Sequence, residues 1–263
     1  MFKREMKVYL KVFIIWTVIT AAMYVGIFMM YPHIMDTANK ESIDNMMQMF
    51  PEDILKSFNM DITSIDTSYG WLKSEGFVFL LLVTGAYAGI LGANIIVKEE
   101  SDKTIEYLNS LPVKRTNIVL SKMLCGVIYI TGMVVSLGLI NYIGLKATCD
   151  FDEKQYLLLS ITPLFSSLVI YILCMFVSTF THKTKKMMSL SLGVVFGSYI
   201  LNIVAGLSDK TEVVKYITPY TLADVRNVIQ DVKINPVVIV VTVILFAIMA
   251  AGTFIHYDKK ELV

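Results

Sequence analysis

The stretch Lys98–Lys122, KEESDKTIEYLNSLPVKRTNIVLSK, decides how the rest of this 263-residue chain is read. It is strongly polar, and it joins two apolar runs, Gly76–Val97 and Ile118–Leu145. A hydrocarbon layer about 30 Å thick is crossed by roughly 20 apolar residues in a helix, and both runs meet that length. The stretch is therefore a loop held between two membrane crossings. Working outward, four more runs qualify: Val12–Tyr31, Tyr156–Phe180, Met187–Leu207 and Pro236–Tyr257. The third run, Ile118–Leu145, is long enough to tilt or to start outside the lipid. Gly193, Gly197 and Gly206 loosen the fifth, or else permit close helix packing.

Composition agrees. Hydrophobic residues make up 56% of the chain and charged residues 17%, a balance that excludes an ordinary soluble domain. The fold class expected is all-α, a single polytopic membrane domain over residues 1–263 with six transmembrane helices. A net charge of +1 gives a nucleic-acid partner no electrostatic support. Cys125 and Cys174 fall inside apolar runs and Cys149 in a short loop, without a CxxC pair. His33, His182 and His256 are scattered, so no metal cluster is expected.

Orientation follows from where Lys and Arg fall. Lys3, Arg4, Lys7 and Lys11, then Lys98, Lys103, Lys114, Arg115 and Lys122, then Lys183, Lys185 and Lys186, and finally Lys259 and Lys260 share one side. The other side spreads its bases over longer loops and mixes them with acids. Both termini and the 98–117 segment are thus expected to be cytoplasmic, with outer loops at 32–75 and 208–235. Tyr31, Trp71, Tyr156 and Tyr257 are placed to sit at headgroup level.

Residues 2–11 are amphipathic at helical spacing, with Phe2, Met6, Tyr9 and Phe13 on one face and Lys3, Lys7 and Lys11 on the other. Such a segment suits a helix lying in the headgroup layer; a plain basic flank that orients the first span is the other reading. In the first outer loop, Ile43, Met46, Met47 and Phe50, then Ile54, Leu55 and Phe58, have helical spacing. They suit either a cap over an outward-facing cavity or mere packing. In the last outer loop, Thr221 followed by Asp224 resembles a capping box, and Val225, Val228, Ile229 and Val232 form an apolar stripe.

The runs carry essentially no Asp, Glu, Lys or Arg at depth, which disfavours an ion-coupled carrier. Asn94, Asn141 and Asn202 are the notable polar side chains there, read first as helix-to-helix hydrogen bonds and second as contacts to a solute. GxxxxGK[ST], GxSxG and HExxH are absent from the sequence, so an enzyme is not expected. Energy for any uphill movement must come from a partner.

Within the opening stretch, Glu99, Glu100 and Asp102 crowd what reads as the start of a helix, with Ser101 as its cap. Ile105, Leu108 and Leu111 follow at spacings of three, and Pro112 ends the turn. Thr116 or Asn117 is placed to cap the next helix. An apolar stripe held just below a membrane can enter a groove on another protein; a solvated hairpin is the plainer alternative.

The stretch resembles the first cytoplasmic loop of ATP-binding-cassette (ABC) exporter permeases of the type-2 superfamily. The residues that carry the likeness are Glu99-Glu100, Thr104-Ile105-Glu106, Leu108, Leu111-Pro112, Arg115 and Lys122. Lys103 stands where the family usually has Gly, and Asn109 where it often has Leu. The tail Tyr257-Asp258-Lys259-Lys260-Glu261-Leu262 resembles the family's ending, with Glu261 for Asp. The resemblance implies the membrane subunit of an exporter, itself non-catalytic. It would work with ABC ATPase subunits, two of them, and with a second permease copy or paralogue. ATP and Mg would be bound by the ATPase partner and no cofactor by this chain. Glu99, Glu100, Asp102, Thr104, Ile105, Glu106, Leu108, Leu111, Pro112 and Arg115 would form the coupling interface, with Lys183, Lys185 and Lys186 a secondary contact. A bacterial plasma membrane and a hydrophobic or amphipathic cargo, such as an antimicrobial peptide or drug, are further implications. The competing reading is a permease-like partner that senses or assists another complex.

Overall fold

The computed structural model describes residues 1–34, 67–105, 112–206, 214, 216–223 and 225–260. The helical pair expected between Ile43 and Phe58, and Glu106, Leu108, Leu111 and Asp224, lie outside the described residues. Among the described residues the chain is all helix: α1 Phe2–Ile34, α2 Ser68–Trp71, α3 Phe77–Ser101, α4 Arg115–Thr148, α5 Glu153–Ser178, α6 Thr184–Gly206, α7 Val225–Asp231 and α8 Pro236–Lys259. A π-helical turn, Leu72–Gly76, runs α2 into α3, and a 3-10 turn, Pro219–Ala223, precedes α7. Six of these helices, α1, α3 with its α2 lead-in, α4, α5, α6 and α8, are long and apolar enough to cross a membrane.

Helix α3 is the axis of the bundle. It is hydrophobic all round, and its most apolar window is 78% buried against 17% for α1 and α8. Gly85, Ala86, Ala88, Gly89, Gly92 and Ala93 give it a surface of small residues. This lets α5 come so close that a Cβ at Gly92 would collide with the Tyr171 carbonyl. Gly126 of α4 makes equal room for the Tyr171 ring. In α5, Pro163 frees the carbonyl of Leu159, and the Thr162 hydroxyl donates to it at 2.9 Å. The glycines of α6 behave differently: a Cβ at Gly193 or Gly197 would meet nothing within 4 Å. Neither residue packs closely on another described part of this chain.

One expectation is corrected. Helix α1 is one unbroken element of 33 residues, about 50 Å long at 1.5 Å per residue, so the amphipathic segment is its first three turns and not a separate helix. Its apolar face turns to protein. Tyr9 is buried, Met6 and Phe13 pack on the core, and the Tyr129 hydroxyl of α4 donates to the Met6 carbonyl. The aromatics expected at headgroup level also point inward. Tyr31, Tyr156 and Tyr257 are buried, and Trp71 is ringed by Tyr24, Phe28 and Tyr31 at centroid distances of 6.2–6.5 Å. In the last outer loop the Thr221 hydroxyl pairs with Thr218, and both reach Asn202 Oδ1; Asp224, the other half of the expected capping box, lies outside the described residues. The apolar stripe after it does form α7, and Val228 is fully buried.

Candidate functional site

The chain's two ends meet at one end of the bundle, around the last turn of α3. Residues 99 and 100 are neighbours on a helix, so their side chains leave about 100° apart. Each carboxylate meets a different lysine.

Glu99 takes Lys122, which lies two turns into α4 and is 0% exposed. The Lys122 ammonium donates to Glu99 Oε1 and Oε2 at 2.8 and 2.7 Å, to the Ile95 carbonyl at 2.6 Å and to Glu5 Oε2 at 3.5 Å. Its three protons thus all have acceptors, the condition for burying an ammonium group. Glu5 comes from α1, so this one lysine ties α1, α3 and α4 together.

Glu100 takes the C-terminal tail. Lys260 Nζ lies 2.9 Å from both its oxygens and donates to the Thr181 carbonyl at 2.7 Å; His182 Nδ1 lies 2.6 Å from Glu100 Oε2. This second knot joins α3 to the end of α8 and to the α5–α6 turn. Arg115, at the start of α4, adds a third tie. Its Nη1 donates to the carbonyls of Asp258 at 2.9 Å and Lys260 at 3.0 Å, placing a cation against the C-terminal end of α8.

The acids therefore sit at the end of a helix, not at the start of one. Ser101 is the last residue of α3, and Asp102 is its exposed C-cap. The helix closes in a Schellman motif: Lys103 N–H donates to the Glu100 carbonyl at 3.2 Å and Thr104 N–H to the Glu99 carbonyl at 2.8 Å. That closure needs a left-handed residue, and Lys103 supplies it with φ of 56°. Glycine takes this conformation at no steric cost, which explains why Gly is the usual residue there.

Of the residues expected to form an interface, Thr104 and Pro112 are exposed, and Arg115 is engaged as described. Ile105 is 2% exposed and packs on Ile118, with Met1 and Val113 beside them, so it anchors the loop to the bundle instead of offering a free apolar face. The α4 N-cap is Lys114, without a side-chain cap bond, in place of Thr116 or Asn117. Lys122, four residues into the third run, is wholly buried.

Glu5, His182 and Lys260 were absent from the expected site. Two signals pointed to the inner knot. Glu5 falls within the apolar face of residues 2–13, and Lys122 falls within an apolar run; each requires a partner of opposite sign.

Two stretches of polar chain, both chain ends and four long apolar helices converge here, and a family model spans all of these elements in sequence. The model described as ABC-2 family transporter protein covers residues 2–262. The chain belongs to that family. A search of curated proteins found no match. As an ABC-2 permease the chain is a multi-pass membrane transport subunit, not itself catalytic, and ATP hydrolysis belongs to an ABC ATPase partner. In that setting the two knots form a stem for the 98–117 segment. Glu99 and Glu100 hold its first residues to α1, α4 and α8, while Arg115 holds its last to α8.

Proposed function

We propose that this ABC-2 permease is half of an exporter's membrane domain, and that its 98–117 segment is the element gripped by the ATPase. Two permeases, identical or paired with a related chain, would work with two ATPase subunits in a bacterial plasma membrane. ATP and Mg would be bound by those ATPases. Both termini and the segment would face the cytoplasm, in keeping with the Lys and Arg bias. The cargo would be hydrophobic or amphipathic.

The observation that carries the reading is the buried double knot at the root of the segment. A lever must be stiff where it joins what it moves. Glu99–Lys122 and Glu100–Lys260 are buried, directly bonded pairs, with Glu5 completing the inner one, and they link the segment's root to α1, α4 and α8. Displacement of the tip would move three membrane helices together. Within the expected interface this gives two roles: Glu99, Glu100, Ile105 and Arg115 position the segment, whereas Asp102, Thr104, Glu106, Leu108, Leu111 and Pro112 meet the ATPase.

The test is co-purification followed by ATPase assay in proteoliposomes. Leu108→Glu and Leu111→Glu are expected to abolish stimulation of the ATPase while membrane insertion and unfolding temperature stay at the wild-type level. Stimulation equal to wild type in both variants would refute this placement.

A further inference from the structure

Helix α1 lies close along α4, where Phe13 sits over Gly132 and Phe28 over Gly144. It meets α3 through long side chains at three levels. Lys98 Nζ stands 5.3 Å from the Tyr9 ring, Trp16 lies 5.9 Å from Tyr87, and the Tyr24 hydroxyl donates to the Gly76 carbonyl at 2.5 Å. The α3 face turned to this seam is Tyr87, Leu91, Asn94 and Lys98, at steps of four, three and four.

Three polar atoms in the seam are buried without a hydrogen-bond partner: the hydroxyls of Tyr9 and Tyr87 and Asn94 Oδ1. Tyr9 and Tyr87 are 6% and 2% exposed. Lipid offers such groups nothing, and a purely structural seam is served better by Phe, which has the same shape and no hydroxyl to satisfy. By contrast, Thr20 and Thr84 on the same helices bond their own backbones at 2.8 and 2.7 Å. The three atoms lie along one seam, placed to take hydrogen bonds from a single guest.

We propose that the α1–α3 seam is a binding track for neutral hydrogen-bonding groups, amide or hydroxyl, carried on an otherwise apolar transported molecule. It is shut in the present conformation and opens when α1 tilts away from α3 about the Lys122 knot, which stays closed as the pivot. Tyr9, Tyr87 and Asn94 are uncharged and both donate and accept. Trp16 and Tyr87 form an aromatic wall for the apolar part. Lys98 puts a positive charge at the mouth nearest the chain ends, which disfavours a cation there. The track rests on the exporter reading above, because cargo supplies its ligand.

The test uses the full chain with its ATPase in proteoliposomes, with Cys125, Cys149 and Cys174 replaced by Ala. Single variants Asn94→Cys and Leu91→Cys report on the seam, and Val18→Cys, on the outer face of α1, is the control. The probe is sulfonatoethyl methanethiosulfonate, a membrane-impermeant thiol reagent. During ATP turnover at least one seam position is expected to react ten or more times faster than Val18→Cys. Rates equal to the control, with and without ATP, would overturn the track. Normal ATPase stimulation alongside unreactive seam positions counts against the track alone, whereas absent stimulation in the unmodified complex counts against the exporter reading. A second measurement needs no partner. Tyr87→Phe is expected to unfold at the wild-type temperature or above; a lower temperature would make the hydroxyl structural and remove the argument.

Discussion

Replacing Lys122 with Met keeps the unbranched stem, one atom shorter, and removes the charge, leaving Glu5 and Glu99 facing one another in a site where the two residues are 2% and 5% exposed. Removing one member of a buried ion pair costs about 3–5 kcal/mol, because the remaining charge is left uncompensated. Here two carboxylates would be left, and the Ile95 carbonyl would lose a 2.6 Å donor, so the upper part of that range applies. For a chain of this size 1 kcal/mol shifts an unfolding midpoint by about 2–4 °C, which places the loss at roughly 10 °C or more. The assay is thermal unfolding of the purified protein in detergent, followed by a dye that fluoresces on reaction with cysteine; Cys125 and Cys174 are buried and become reactive as the bundle opens. The pattern across variants is more decisive than the single value. Glu5→Gln should cost least, because Glu5 is the far partner at 3.5 Å and its neutralisation leaves Lys122 paired with Glu99 at 2.7 Å. Glu99→Gln should cost more. The triple variant Lys122→Met, Glu99→Gln, Glu5→Gln should recover most of the loss, since it removes the stranded charges. A midpoint for Lys122→Met within 2 °C of wild type, or a triple variant no better than the single one, would refute the buried knot.

Other consequences concern the same end of the bundle and its axis. Lys103→Gly should raise the unfolding midpoint by a few degrees, because a left-handed lysine costs about 1–2 kcal/mol that glycine does not; a fall on the same thermal scan would argue against the Schellman closure. Gly92→Ala should lower the midpoint, since the added methyl meets the Tyr171 backbone and overpacking of this kind costs about 1–3 kcal/mol. Gly193→Ala on α6, where the space is open, should leave the purified protein unchanged in the same scan. Lys260→Ala should strip Glu100 of its closest cation and speed proteolysis of the C-terminal tail, read by limited digestion in detergent; a tail as resistant as wild type would show that Arg115 alone holds it.

What could be read from residues alone divides by range. The six crossings were legible because each is a long run whose length and apolarity suffice without knowledge of neighbours. A polar link between the second and third crossings was legible for the same reason, although α3 and α4 take up both ends of the stretch 98–122. Its internal structure was not. Glu99, Glu100 and Asp102 look like the acids of a helix start, yet α3 runs on through Ser101. Nothing local marks that extension, because the C-terminal residue in a left-handed conformation is lysine where glycine would have announced the stop. Acids in a last turn oppose the helix dipole, so they persist there only if cations from elsewhere meet them. Those cations, Lys122 and Lys260, lie 23 and 160 residues away from their partners. The clue was present in another form. An acid inside the apolar face of residues 2–13 cannot lie against hydrocarbon, and a lysine inside an apolar run cannot be left there unpaired. Taken together, Glu5 and Lys122 demanded each other, and that demand also decides which way the face of α1 must turn. Charge out of place in an apolar pattern thus identified tertiary contacts that periodicity left open. On the coupling role proposed above, these buried charges would be the root at which a force entering the loop is handed to the helices.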